Sequence, residues 1–425
     1  MSMLDRSTIR VLVVDDSMVF GRFLTASLPK ANPRIQVVGH AISAKDAMDK
    51  LPRLKPDVMT LDVEMPVMNG IEFIKQHLPK YPIPTVLVSS LNIGVFDALQ
   101  NGAVDFVRKP DASSPDATEK FVKSLAYKIT AASYAKVRIA PPGLSTAGKM
   151  AAKPGSATSQ MAKIAAGNRP ASPGNAFSPA AADPAKKTAA QLTAALPKGR
   201  RPAPTAPPEL IVTTPSSQRN CSLATASPLK MGSTIIALGA STGGTEATLE
   251  VLKYLPADIP AMVITQHMPK GFTGMYAERL NRECKMEVKE AQHGDKLRRG
   301  LVLIAPGGEH QMSVVRSPSG GYEVALIRGN KVNGHCPSVD VLFDSVATNV
   351  RGYSQVGIIL TGMGRDGARG LLNMKKAGAY TIGQDQDSSV VYGMPMVAWD
   401  IGAVKTQASC GAIAGVLIDH LNKLR

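Results

Sequence analysis

Two sets of polar residues in this chain have the types and the spacing to do chemistry. The first stands at the ends of successive apolar runs: Asp15 and Asp16 after IRVLVV, Asp62 after DVMTL, Ser89 after PTVLV, and Lys109 just before Pro110. Three carboxylates brought to one edge repel unless they share a hard cation, and oxygen ligands of this kind suit Mg²⁺. A carboxylate beside such a cation can attack a phosphoryl group, with the lysine neutralising charge on the phosphoryl oxygens and the hydroxyl binding one of them. Each acid alone reads as a helix cap or a solvated loop residue. Three acids, a serine and a lysine in order, all at strand ends, read as one site.

The second set is Ser241, His267 and Asp366. Gly239-Ala240-Ser241-Thr242-Gly243 fits G-x-S-x-G, in which glycines relieve a sharp strand-to-helix turn and expose the serine at a helix N-terminus. A glycine-rich loop after a strand could also cradle a phosphate, although the G-x-G-x-x-G and Walker A patterns both fail here. The partners decide. His267 follows the run AMVITQ, and Asp366 lies in the glycine loop after VGIIL. Each sits just beyond the carboxyl end of its own strand, so the three converge if those strands are parallel. His267 then takes the serine proton and Asp366 orients the imidazole. Asp366 alone reads equally as a helix cap. His293, His310 and His335 are loop residues that either bind substrate or hydrogen-bond a turn.

The elements that must position these residues are set by periodicity. From Ile9 the chain alternates β-branched runs with amphipathic stretches through five strand-helix units, which predicts a flavodoxin-like, doubly wound α/β domain over residues 9–130. Alternation resumes at Gly232, so a second α/β domain with a mostly parallel sheet is expected over residues 231–425.

Between them the composition changes. The chain carries 49 Lys or Arg against 33 Asp or Glu, a formal net charge of +16. Residues 136–230 hold 13 Lys or Arg against two acids, Asp183 and Glu209, with one aromatic, Phe177, among many Ala, Pro, Ser and Gly. Such a stretch buries too little apolar surface to offset its ordering entropy. Residues 131–230 therefore read as a disordered basic linker, with room for a short helix near Thr188 to Leu196. Residues 231–425 lack basic patches interleaved with aromatics, so no specific nucleic acid is expected. No run reaches the about 18 apolar residues of a membrane span, and MSMLDRSTIR lacks a signal-peptide core. Cys221, Cys284, Cys336 and Cys410 lie far apart without C-x-x-C spacing, which argues against a zinc site or a disulfide framework. A cytoplasmic location is expected.

Residues 9–130 resemble the response-regulator receiver family. The resemblance implies that Asp62 is the phosphoacceptor and that Asp15, Asp16, Asp62 and the Glu64 backbone carbonyl hold Mg²⁺. It implies Ser89 as the switch hydroxyl, with Ser90 as an alternative, Phe106 as the switch aromatic, Lys109 as the phosphate-facing cation, and a histidine kinase as phosphodonor. From about Gly232 the chain resembles the chemotaxis protein-glutamate methylesterases, through IALGASTGGTEA, ITQHMP, LIAPGGEH, PSVDVLF and LTGMGRDGA. That resemblance places the catalytic triad on Ser241, His267 and Asp366 and an oxyanion-binding amide on Met363, with no cofactor for the ester step. It implies glutamate γ-methyl esters on methyl-accepting chemoreceptors as substrate, deamidation of receptor glutamines, and a receiver that covers the Ser241 edge until Asp62 is phosphorylated. The long linker departs from a compact hinge, which argues against tight packing between the domains.

Overall fold

The structure, a computed structural model, describes residues 8–90, 94–110, 115–137, 210–218, 221–223 and 227–424. Most of the expected linker, with the short helix near Thr188, lies outside the described residues.

The N-terminal domain alternates β1 (Ile9–Val14), α1 (Met18–Ala31), β2 (Ile35–Ala41), α2 (Ala44–Leu54), β3 (Val58–Asp62), α3 (Gly70–His77), β4 (Thr85–Ser89), α4 (Val95–Gln100), β5 (Asp105–Arg108) and α5 (Pro115–Ala132). Its strands pair in parallel in the order β2-β1-β3-β4-β5. Local chemistry starts the helices as expected: Ser17 accepts the Phe20 N–H at the head of α1, and Asn69 accepts that of Glu72 at the head of α3. Asp15, Asp62, Ser89 and Lys109 all fall at the carboxyl edge of this sheet.

The C-terminal domain contains β6 (Leu210–Val212), α6 (Pro228–Gly232), β7 (Thr234–Ala240), α7 (Gly244–Leu252), β8 (Ala261–Gln266), α8 (Phe272–Glu283), β9 (Glu287–Glu290), β10 (Leu301–Ile304), β11 (His310–Arg316), β12 (Tyr322–Arg328), α9 (Val339–Asn349), β13 (Ser354–Ile359), α10 (Ala368–Lys376), β14 (Tyr380–Gln384), α11 (Met394–Asp400), β15 (Thr406–Ala408) and α12 (Ile413–Leu421). Eight strands form one parallel sheet, β6-β15-β14-β13-β7-β8-β10-β9, beside an antiparallel pair, β11-β12. The central strand TIIALGA is buried along its whole length, as a strand covered on both faces must be. From β7 the chain builds outward through β8, then returns to build through β13 on the other side. The carboxyl end of β7 is therefore a topological switch point, where open α/β sheets form clefts.

Two expectations change. Residues 210–212, assigned from sequence to the linker, pair with β15 as the outermost strand of the sheet. The two domains also pack together, despite the length of chain between them. Phe106 of β5 lies 4.5 Å from Phe272 and Phe96 of α4 stacks 5.8 Å from Tyr276, both between ring centroids. Arg279 is 5.8 Å from the Phe96 ring. Linker length sets reach, whereas aromatic and cationic side chains set this contact.

Candidate active site

Ser241 emerges directly from β7. Its N–H donates to Thr361 O at 3.0 Å, and the Gly244 N–H closes the turn onto Ser241 O at 2.8 Å. Gln266 Nε2 also donates to Ser241 O at 2.8 Å. Gly243 takes φ 76° at the turn, a conformation that L side chains rarely adopt, and a Cβ there would meet Val390. A Cβ on Gly362 would lie 2.7 Å from that of Ser241. The loop that follows β13 thus runs hard against the serine at Gly362, with Met363 as the next residue.

His267 follows β8, its N–H donating to Ala240 O at 3.1 Å, so the serine and histidine leave neighbouring strands together. Its Nε2 donates to Asp366 Oδ2 at 2.8 Å. Its Nδ1 is buried and makes no hydrogen bond among the described residues. Asp366 does not cap its own helix, whose N-cap is Gly367. It lies instead at the N-terminus of α9, accepting from the Val339 and Asp340 N–H groups at 2.7 and 3.2 Å and from Ser338 Oγ at 2.7 Å. Ser338 is at the same time the N-cap of α9. Asn333 Nδ2 donates both to Asp366 Oδ1 and to Asp340 Oδ2, at 2.8 Å each. Burial opposes ionisation of Asp366, but the His267, Asn333 and Ser338 hydrogen bonds outweigh it and hold the carboxyl well below the usual carboxylate range. The amides and dipole of the α9 terminus favour the same charge.

Sequence reasoning left His335 open and missed Asn333, Ser338, Thr242 and Tyr127. The His335 ring stacks on His267, with centroids 3.6 Å apart and planes 6° apart. Of the other two histidines, His293 accepts the Leu326 N–H at 3.2 Å and so fixes a turn, while His310 opens β11 exposed to solvent. Tyr127, on α5 of the N-terminal domain, meets the edge of His335 and donates to Met363 O at 3.2 Å. Burial, with Asp105 and Asp366 nearby, pushes its phenol up to about 12. Thr242 donates to Asp105 Oδ2 at 2.6 Å, and Lys128 donates to the other oxygen of that carboxylate. The one readable signal among these was Ser338 ahead of an apolar run, which marks a helix N-terminus and hence an anion-holding end. A cavity of about 660 Å³ opens between α5 and this edge, lined by Ser241, His267, His335, Lys109, Lys270 and Lys331 among others.

At the other site Lys109 Nζ lies 2.6 Å from Asp62 Oδ2 and 2.8 Å from Asp15 Oδ2. Burial disfavours the Lys109 charge, but hydrogen bonds to both carboxylates outweigh it and raise its pKa. Burial raises that of Asp62, against Lys109 and the Glu64 N–H, which donates to Asp62 Oδ1 at 3.1 Å. Asp15, Asp16 and Asp62 each offer an oxygen, all within 4.8 Å of one another. Three carboxylates face one ammonium here, and an all-oxygen donor set with surplus negative charge fits a hard divalent cation. Ser89 and Phe106 are both buried, on β4 and β5. Ser90 is exposed, which favours Ser89 as the hydroxyl of the site.

Comparison with known proteins agrees with both halves. The family described as response regulator receiver domain matches residues 11–116, and that described as CheB methylesterase matches residues 236–417. The chain is 43% identical over 416 residues to protein-glutamate methylesterase/protein-glutamine glutaminase 2 of Syntrophomonas wolfei, covering 98% of each. It is 39% identical to the protein-glutamate methylesterase/protein-glutamine glutaminase of Syntrophotalea carbinolica, covering 98% of this chain and 99% of the relative. With that of Sulfurimonas denitrificans it shares 40% identity, over 93% of this chain and 94% of the relative. Among the described residues no helix is long and apolar enough to cross a membrane. A receiver fold, a serine beside a histidine-carboxylate pair and full-length similarity lead to one conclusion: the chain belongs to the protein-glutamate methylesterase/protein-glutamine glutaminase family.

Proposed function

We propose that this chain hydrolyses glutamate γ-methyl esters, and deamidates particular glutamines, on the cytoplasmic helices of chemoreceptors, with Ser241 as nucleophile and Asp62 phosphorylation as the control. The observation that carries the esterase reading is the His267–Asp366 pair at 2.8 Å, with His267 Nδ1 left without a hydrogen-bond partner among the described residues and both Ser241 and His267 lining one cavity. Nε2 is committed to Asp366, so Nδ1 is the nitrogen that takes the Ser241 proton. Ser241 Oγ attacks the ester carbon, and the developing oxyanion is held by the Met363 N–H. As the tetrahedral species collapses, methanol leaves with the proton from His267, or ammonia does when the substrate is a glutamine. Water then attacks the acyl-enzyme and gives its proton to His267. As the second tetrahedral species collapses, His267 returns that proton to Ser241 Oγ and the acid product departs.

Control fits the contacts of α5 and β5. Tyr127, Asp105 and Phe106 touch Met363, Thr242 and Phe272 respectively, which supports a reading in which the receiver covers the Ser241 edge until Asp62 is phosphorylated. A phosphodonor such as a histidine kinase loads Asp62. Asp15, Asp16, Asp62 and the Glu64 carbonyl would hold Mg²⁺, which neutralises phosphoryl charge when bound, while Lys109 and Ser89 bind phosphoryl oxygens. Phe106, on the strand after Ser89, carries the change to the interface.

The test is methyl release from methylated receptor membranes by the full chain, with and without a small-molecule phosphodonor. Phosphodonor is expected to raise the rate, Asp62→Ala to abolish that rise, and Ser241→Ala to abolish methyl release altogether. Undiminished release by Ser241→Ala sinks the nucleophile assignment; equal rates with and without phosphodonor sink the control.

A further inference from the structure

The loop ahead of α9 brings a second imidazole to the site. We infer that His335 is a positioning residue for the hydrolysis, its ring lying flat on His267 and holding that imidazole in the one orientation that keeps Nε2 on Asp366. The inference rests on the reading of Ser241 and His267 as the hydrolytic pair.

A single hydrogen bond fixes one edge of an imidazole but leaves the ring free to rock about it. On His267 that bond is the one to Asp366, and the other ring nitrogen has no hydrogen bond among the described residues to fix it. The parallel ring of His335, 3.6 Å away, closes the remaining freedom by covering one face. His335 is in turn anchored through its backbone. It exchanges two 2.9 Å hydrogen bonds with Val332, and Gln311 Nε2 reaches its carbonyl at 3.4 Å. Gln311 Oε1 accepts the Ser338 N–H at 2.7 Å, so one glutamine ties the stacking ring to the helix end that holds Asp366.

The charge environment suits the task. The groups facing His335 are His267 from the end of β8, Tyr127 and Lys128 from α5, Lys331 from its own loop, and Asp366 from the loop before α10. Burial, together with His267, pushes the His335 pKa down to about 3, so its ring offers an uncharged aromatic face. Such a face adds no positive charge to oppose the imidazolium of the transition state, and attracts it weakly.

Substitution in the phosphodonor-treated full chain tests the role, read by kcat and KM for methyl release and by the rate at which a fluorophosphonate labels Ser241. For His335→Ala we expect kcat and labelling to fall roughly 10- to 100-fold, with KM within about 2-fold of wild type. His335→Phe keeps a flat ring and should recover to within about 3-fold of wild type, whereas His335→Leu, apolar but not flat, should stay slow. Thermal unfolding checks that each variant is folded; if His335→Ala is not, the Leu and Phe pair carries the comparison. Wild-type rates in folded Ala or Leu variants overturn the inference, as does a folded Phe variant no faster than Leu. Ser241→Ala separates the two levels: persistent methyl release removes the underlying reading, while release that needs Ser241 but ignores His335 removes this inference alone.

Discussion

Asp366 can orient His267 only because five donors hold Asp366: His267, Asn333, Ser338 and the amides of Val339 and Asp340. Asp366→Asn preserves the shape but turns an acceptor-only group into one that must aim an NH₂ at a donor. We expect kcat to fall about 10³-fold or more, by analogy with the loss of the orienting aspartate in other serine hydrolases. The same variant separates stability from chemistry. A carboxyl held below its ordinary value contributes stability that is full above the unfolded pKa near 4 and is lost progressively as pH falls from there down through the lower folded value. The unfolding midpoint of wild type should therefore drop more steeply below about pH 4 than that of Asp366→Asn, measured by thermal scans across the acid range. At this scale Ser241, His267 and Asp366 were legible because each lies in the turn or loop that follows an apolar run. His335 and Asn333 were not, since the 331–337 loop has no periodicity and its place beside His267 is set by contacts far away in sequence.

The elements that deliver these groups depend on close backbone approach. Gly362 accepts from the Gly393 and Met394 N–H groups at 3.1 and 2.7 Å, and its own N–H donates to Val391 O at 3.0 Å. A Cβ there would lie 2.4 Å from Met394 Sδ and 2.7 Å from Ser241 Cβ. The methionine can yield, but the serine sits on a pinned turn. Gly362→Ala should thus cost roughly 1–3 kcal/mol of stability by overpacking, while cutting kcat at least 10-fold through the displaced serine and Met363. Denaturant unfolding and methyl release measured side by side will show both losses, and unchanged turnover would contradict this account of the loop. The long strands and their parallel order could be read from alternating runs. β6 could not: three residues in a Pro- and Thr-rich stretch show no period, and only pairing with β15 makes them a strand.

Across the whole molecule, the covering of the site passes through a few side chains of β5 and α5. If Tyr127 Oη on Met363 O favours the covered arrangement by the usual net value of a neutral hydrogen bond, about 0.5–1.5 kcal/mol, then Tyr127→Phe should raise the unphosphorylated rate roughly 2- to 12-fold. The phosphodonor-treated rate should stay as in wild type, and a fall in both rates would instead make Tyr127 part of the working site. This interface was beyond sequence reading, which saw a long linker and no pattern marking Phe96, Phe106, Phe272 and Tyr276 as mutual partners. Asp105 fits the two halves to each other. Its one carboxylate serves a threonine next to Ser241 and a lysine of its own domain, one residue before the aromatic that meets Phe272. A receiver grafted from another chain would need an acid and an aromatic at the start of its fifth strand and a tyrosine on its last helix to seat on this hydrolase. The pieces are separable in sequence but not interchangeable.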